Sequence, residues 1–407
     1  MVTNSLFDRA LEAAQTLIRV PSFNPPGRER AVAEVARDLL SRSGISSRLL
    51  LLDEDRASVV ARVEGARSGG LILCGHLDTV ATDPAKWRTP PFTPSLADGR
   101  LYGLGAADMK AGVGLILALA AELVERGVRP ATDLILVLTA DEEEGYRGAA
   151  QVAESGEIAD ARELLILEPT GCFVYGGQKG ELWLEVAFTG EEAHGSVPQT
   201  GRSAIAPAIR FVQAVERAVA ALPPVPDSGR TTLNVGQFTG GRQVNIVPDR
   251  AVVRMDIRVA CEEHTSSVLR TTGEVGREVA SETETQFEMS TVSYHPPVRN
   301  PEGVDLARRM AESSGMRRGA EHICPYSTDA VSIVPALKLQ VIHPQLDDWP
   351  PPVPGNAPNI SYHGLFVAGL ANTVAQGAEI LLYRVLDEYG HCYSYSLYLT
   401  FSFSLEH

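Results

Sequence analysis

The chain has 407 residues, 44% of them hydrophobic, and a formal net charge of -15. That length exceeds what one hydrophobic core usually organises, so two domains are expected. The acidic balance, with no run rich in Lys or Arg, argues against nucleic acid and anionic membrane as partners.

The opening stretch MVTNSLFDRALEAAQTLIRV lacks a basic segment followed by unbroken apolar sequence, and fits an amphipathic helix better than a signal peptide. The longest apolar run, residues 113–121, is too short for a bilayer span of about 20 residues. Cys74, Cys172, Cys261, Cys324 and Cys392 are widely spaced and form no CxxC pair. They suggest neither a disulfide framework nor a thiolate metal site, and a reducing cytoplasm fits best.

In chain order, residues 5–45 are predicted helical, followed by apolar, β-branched strands in SSRLLLLDEDRASVVARVEG and GGLILCGHLDTV. A helix is predicted from Met109 to about Arg126. DLILVLTADEEEG is a buried strand entering an acidic turn, and ELLILEPTG repeats that pattern. Strands alternating with helices predict an α/β domain with a mixed, mostly parallel sheet flanked by helices, whose chemistry gathers at strand ends. From about Gly180 the texture changes. ELWLEVAFTG, TTLNVGQFTGG and QVNIVPDRAVVRMDIRV alternate apolar and polar residues as half-exposed antiparallel strands do, with a helix predicted at 203–222. Beyond residue 298 helices (303–314) and a short strand (339–342) return. The expected organisation is therefore a discontinuous domain, 1–178 and 296–407, interrupted by an α+β module at 179–295. The proline-rich DDWPPPVPGNAP is read as a loop.

Candidate chemistry lies at the strand ends. His76 and Asp78, two apart, allow an imidazole to bind metal while a carboxylate accepts its other ring N–H; a merely hydrogen-bonded histidine is the plainer alternative. Asp108 sits in the Gly-rich turn GLGAADMKAG, either reaching a metal or capping the next helix. Asp141, Glu142, Glu143 and Glu144 are consecutive, and such crowded carboxylates repel unless a cation or proton intervenes, although a solvated acidic turn is also compatible. Glu168 follows the next buried strand. Imidazole and carboxylate at successive strand ends form an N/O donor set suited to zinc or similar divalent ions.

The ordered series GHLDTV, GLGAADMKAG, TADEEEG, ILEPTG, EEAHGSVPQTGRSAI, GGRQVNIVPD, RMDIRV and STDA resembles the co-catalytic zinc amidohydrolases that include acetylornithine deacetylase, succinyl-diaminopimelate desuccinylase, aminoacylase and carboxypeptidase G. The resemblance implies that His76 and Glu168 hold one zinc, Glu143 and a late histidine the other, and Asp108 bridges both. It implies that Asp78 orients His76, and that Glu142 is the general base that takes a proton from water and delivers it to the leaving nitrogen. It further implies a tetrahedral-oxyanion donor in His194, substrate contacts in Asn245 and Arg258, and an inserted module that serves as lid and homodimer interface. Cobalt or manganese are able to replace zinc.

Some positions depart from the family pattern. The late histidine falls on His363, with His343 as the rival, and no acid follows His363 nearby. The proline-rich loop within 340–352 is longer than the pattern. Leu104 stands where relatives often have Arg, and Ala111 where Gly is usual. The expected function is hydrolysis of the amide of an N-acyl amino acid. The alternatives are a metallo-dipeptidase or carboxypeptidase on small peptides, and a catalytically impaired metal-binding homologue.

Overall fold

The computed structural model describes residues 6–97, 99–170, 173–226, 228–299, 317–318 and 323–337. The expected helix at 303–314, the strand at 339–342, the Tyr- and Ser-rich tail HCYSYSLYLTFSFSLEH and both late histidines, His343 and His363, lie outside the described residues. The chain divides into two compact units. The first takes the chain up to Gly176 and from Thr328 onward, with Asn300–Gly319; the second takes Gly177–Arg299 and Ala320–Ser327. These boundaries differ from the sequence reading by a few residues at each junction and by the return of 320–327.

The first unit is built on a five-stranded sheet in the order Ser47–Leu51, Ala57–Val63, Leu134–Thr139, Leu71–His76, Glu163–Ile166. The first two pairings are antiparallel and the last two parallel. Leu71, Leu73, Leu134 and Leu136 point into one apolar layer, while Ile72, Cys74, Ile135 and Val137 point into the other. Burial on both faces is why these strands are continuous apolar runs rather than alternating ones. Helices Leu6–Ile18, Glu29–Arg42 and Lys110–Glu125 contribute to the first layer, and Arg147–Glu154 with the short Ala330–Ile333 to the second.

The single helical stretch expected at 5–45 is two helices, because Pro21, Pro25 and Pro26 occupy the segment between them and lack the N–H a helix needs. Among the described residues no helix is long and apolar enough to cross a membrane.

The second unit is an antiparallel sheet, Thr232–Gly240, Arg250–Val259, Gly180–Thr189, Gln286–His295 in spatial order. Leu182, Leu184, Val186 and Phe188 alternate with Trp183, Glu185 and Ala187, and the former pack with Val253, Met255 and Ile257 beneath helices Ile205–Ala220 and Glu262–Glu282. Phe188, Phe211 and Phe287 form a ring cluster with centroids 5.5–5.9 Å apart, in which each pair adds about 1 kcal/mol beyond area burial. Gly177–Gln178 pairs antiparallel with Val298–Arg299, so the unit begins and ends on neighbouring strands. The strand expected from Gln243 starts only at Arg250. Residues before it form a turn that leaves Val244 fully exposed, and Pro248 has no N–H to give a ladder.

Candidate active site and metal centre

Leu134–Thr139, Leu71–His76 and Glu163–Ile166 are adjacent and parallel, with His76 opposite Thr139 and Cys74 opposite Ile166. Their C-terminal ends therefore deliver His76, the acidic turn at 141–144 and Glu168 to one rim of the sheet. Asp108 arrives from the Gly-rich turn before Lys110–Glu125. It does not cap that helix, whose N-cap is Met109.

His76 is 1% exposed. Its Nδ1 lies 3.0 Å from the Asp78 carbonyl oxygen and its Nε2 2.9 Å from Asp108 Oδ1 and 3.8 Å from Glu168 Oε1. Ligand atoms of His76, Asp108 and Glu168 all lie within 4.8 Å of one another, a group able to hold a metal ion. Burial lowers the His76 pKa, but Asp108, Asp78 and Glu168 outweigh it and raise it well above the usual histidine range.

Burial pushes Glu168 up to about 8 and Glu143 up to about 7. His76 pulls both down, and neighbouring carboxylates push both back up. Burial likewise holds Glu142 well above the carboxylate range, aided by Glu168 and Asp329. One imidazole and several acids sharing excess negative charge at a rim is the donor chemistry a divalent cation satisfies, and such an ion reverses the local pKa logic.

Asp78 does more than the sequence suggested. Its carboxylate is 3.5 Å from His76 Nδ1, while its two oxygens accept from the backbone N–H of Glu142 (3.2 Å) and of Glu143 (3.0 Å) and from Asn24 Nδ2 (3.1 Å). It thus fixes the imidazole and the acidic turn together. The four consecutive acids separate into distinct roles. Asp141 is buried against Arg56, Arg147 and Asn24; Glu142 and Glu143 are half-buried beside His76; Glu144 is exposed. Glu143 Oε1 accepts from Val80 N at 3.1 Å.

Sequence reasoning missed Asn24, Glu29, Arg56 and Asp329. Asp329, 1% exposed, accepts at Oδ2 from Thr139 Oγ1 (2.5 Å) and from the Cys74 thiol (3.7 Å). Burial pushes its carboxyl up to about 6. The motif STDA carried the signal, since its acid follows a Ser-Thr pair into an apolar helix start. A pocket lined by Trp87, Leu101, Tyr102 and Leu104 adjoins Asp108 and Glu143.

His194, Asn245 and Arg258 belong to the second unit. His194 and Asn245 sit on facing loops: His194 bridges to Ile246, and Gly195 N donates to Asn245 O at 2.7 Å. His194 is exposed and its Nδ1 accepts from Ser196 N (3.2 Å), which leaves Nε2 as the ring donor. Arg258 is paired with Glu181 (2.8 Å) and Asp256 (2.9 Å), so its guanidinium is already engaged by acids of its own sheet. The remaining expected ligand, His363, lies outside the described residues.

The model of peptidase family M20/M25/M40 matches residues 72–346. A probable succinyl-diaminopimelate desuccinylase of Staphylococcus epidermidis is 31% identical over 298 residues, covering 66% of this chain and 72% of its own. A probable carboxypeptidase of Aspergillus terreus is 33% identical over 223 residues, 51% of this chain and 49% of its own. Among solved structures, a tripeptidase of Staphylococcus aureus superposes with a TM-score of 0.67 at 22% identity, covering 82% of this chain and 88% of its own. A dinuclear metal-binding peptidase of Bacillus subtilis does so with a TM-score of 0.60 at 16% identity, covering 82% and 86%.

Proposed function

The chain belongs to peptidase family M20/M25/M40, and we propose from that premise that this metal-dependent amide hydrolase removes the acyl group of an N-acyl amino acid, as a deacetylase or desuccinylase does. The observation that carries the reading is the convergence of His76, Asp108 and Glu168 beside the turn that bears Glu142 and Glu143.

In this proposal His76 and Glu168 would hold one divalent ion, Glu143 and His363 would hold a second, and Asp108 would serve both. Zinc is the proposed metal, with cobalt or manganese as substitutes. When bound, the ions supply Lewis acidity toward water and toward the carbonyl oxygen. Glu142 is the general base: a carboxylate on the acidic turn beside His76, held above the usual carboxylate range by burial, it accepts a proton from water and returns it to the leaving nitrogen. Asp78 keeps the His76 ring in place through Nδ1. His194 Nε2 supplies a donor for the tetrahedral oxyanion, and Asn245 and Arg258 bind the substrate's carbonyl and carboxylate. Because Arg258 is held by Glu181 and Asp256, a substrate carboxylate shares its guanidinium with those acids. The mainly apolar pocket at Trp87, Leu101 and Leu104 suits the uncharged part of a substrate.

The same reading includes an inserted lid and dimerisation module at 179–295, a homodimer and a cytoplasmic location. Cys74, Cys261 and Cys324 being free thiols supports the last. A second reading, a carboxypeptidase or dipeptidase on small peptides, is favoured by the identity to the Aspergillus relative.

The experiment is metal content per chain, paired with hydrolysis of N-acetylornithine, succinyl-diaminopimelate and a dipeptide panel with and without added zinc. Turnover of an acyl amino acid is expected. Turnover of dipeptides alone selects the second reading, and no turnover by the metal-loaded protein overturns both.

A further inference from the structure

The acidic turn begins on a residue in an unfavourable backbone conformation. Asp141 has φ +68°, the left-handed region, which a non-glycine residue keeps only when its surroundings hold it there. Here the surroundings are specific. Asp141 Oδ1 accepts from Arg56 Nη2 (2.7 Å) and Asn24 Nδ2 (3.0 Å), and Oδ2 from Arg147 Nε (2.5 Å). Its own N–H donates to Glu29 Oε1 at 3.2 Å, and its carbonyl accepts from Gly145 N and Tyr146 N.

Arg56 is the centre of this arrangement. It grips Glu29 with two parallel bonds, Nε to Oε2 at 2.9 Å and Nη2 to Oε1 at 2.6 Å, while Nη2 also reaches Asp141. Arg56 is 4% exposed, Glu29 0% and Asn24 4%, so solvent screens these contacts little, unlike that of the exposed Arg147. The guanidinium lies directly against Gly27 (φ +88°), where a Cβ would come within 2.3 Å of Arg56 Nε; the backbone there is shaped around it. Asn24 then ties the two acids together, since the same Nδ2 donates to Asp78 Oδ2 and to Asp141 Oδ1.

We propose that Arg56 and Asn24 are positioning residues for the catalytic turn, holding Asp141 in its left-handed conformation and tying it to Asp78, so that Glu142 and Glu143 leave a fixed point. Neither touches the reacting atoms. Arg56 acts through Asp141, and Asn24 through both Asp141 and Asp78, whose carboxylate in turn holds the N–H groups of Glu142 and Glu143. The inference rests on Glu142 and Glu143 belonging to the catalytic centre. Its chemistry is selective: a lysine keeps the charge of Arg56 but cannot present a planar fork to Glu29 and a further donor to Asp141 at once.

The test uses the full chain and the variants Arg56→Lys, Arg56→Met and Asn24→Ala. Each is stripped with chelator and titrated with cobalt(II), followed by visible absorption, thermal melting, and kcat and KM on whichever acyl amino acid the wild type cleaves. In variants that melt cooperatively, cobalt affinity and kcat are expected to fall about 10–100-fold, with a changed cobalt spectrum. KM is expected to move by less than about threefold, as for loss of an interaction that serves the chemical step. Folded variants with the wild-type cobalt spectrum, affinity and kcat overturn the proposal, even if their melting temperatures drop. Should Arg56→Met fail to fold, Arg56→Lys and Asn24→Ala decide. A wild type that binds cobalt but cleaves nothing counts against the proposed function alone, because the cobalt readout still decides this one.

Discussion

Thr139, the strand partner of His76, donates its hydroxyl to the buried Asp329 carboxylate at 2.5 Å across 190 residues of chain. Among the described residues Asp329 Oδ1 has no hydrogen-bond partner, so Thr139 and the Cys74 thiol carry what satisfaction this acid receives. Thr139→Val keeps the shape and removes the donor, leaving a buried carboxyl less satisfied. The expected loss is about 1–3 kcal/mol of unfolding free energy, read by urea denaturation. An unchanged midpoint would show that the bond is not worth its desolvation.

Glu142→Gln preserves size and removes the proton acceptor. Hydrolysis is expected to fall by about 10²–10⁴-fold, with metal content per chain unchanged. Retention of more than about a tenth of wild-type kcat would remove Glu142 from the role of general base.

Gly148 lies in the first turn of the helix Arg147–Glu154 that follows the acidic turn, and its position excludes any side chain. A Cβ there meets Ala140 O at 2.2 Å and Ala140 N and Ser58 Oγ at 2.7 Å, mostly backbone that cannot step aside. Gly148→Ala is therefore expected to cost roughly 1–3 kcal/mol in stability. It should also weaken cobalt binding, because Gly148 N bonds to Ala140 O immediately before Asp141. Calorimetric melting and the same cobalt titration measure the two effects.

The pH dependence of stability has a contributor in the second unit, His295. Burial, with the nearby Arg258 charge, lowers the His295 pKa below its ordinary value of about 6.5. The unfolded chain therefore binds the proton more readily. The stability that follows from neutral His295 is fully present above pH ~6.5 and is lost as pH falls through the lowered folded value. Urea unfolding at pH 8 and pH 5.5 should show a larger acid loss for the wild type than for His295→Gln. Equal losses would contradict the assignment.

The strand-end residues were legible because parallel strands buried on both faces leave a distinct trace, an unbroken apolar run stopping at a polar residue. His76, the acidic turn and Glu168 carry it, and Asp108 was marked instead by the Gly-rich turn before a buried helix. Arg56 and Asn24 do not, since their partner Asp141 lies 85 and 117 residues away and nothing local marks the pairing. Arg56 left one faint sign, a charge abutting the apolar run ASVVARV. The helix Glu262–Glu282 escaped for another reason. Its buried stripe is His264, Val268, Thr272, Gly276 and Val279, correctly spaced for a helix but filled with small and polar residues that a search for apolar periodicity passes over.

All five strands of the first unit's main sheet lie between residues 47 and 166, ahead of the first residue of the second unit. A ribosome therefore delivers the complete sheet, with His76, Asp108 and the acidic turn already on its rim, before the other unit exists. Asp329 is made last of these, and finds Thr139 and Cys74 waiting. Order of synthesis thus makes the buried acid the closing stitch of a layer whose other two members precede it by 190 and 255 residues.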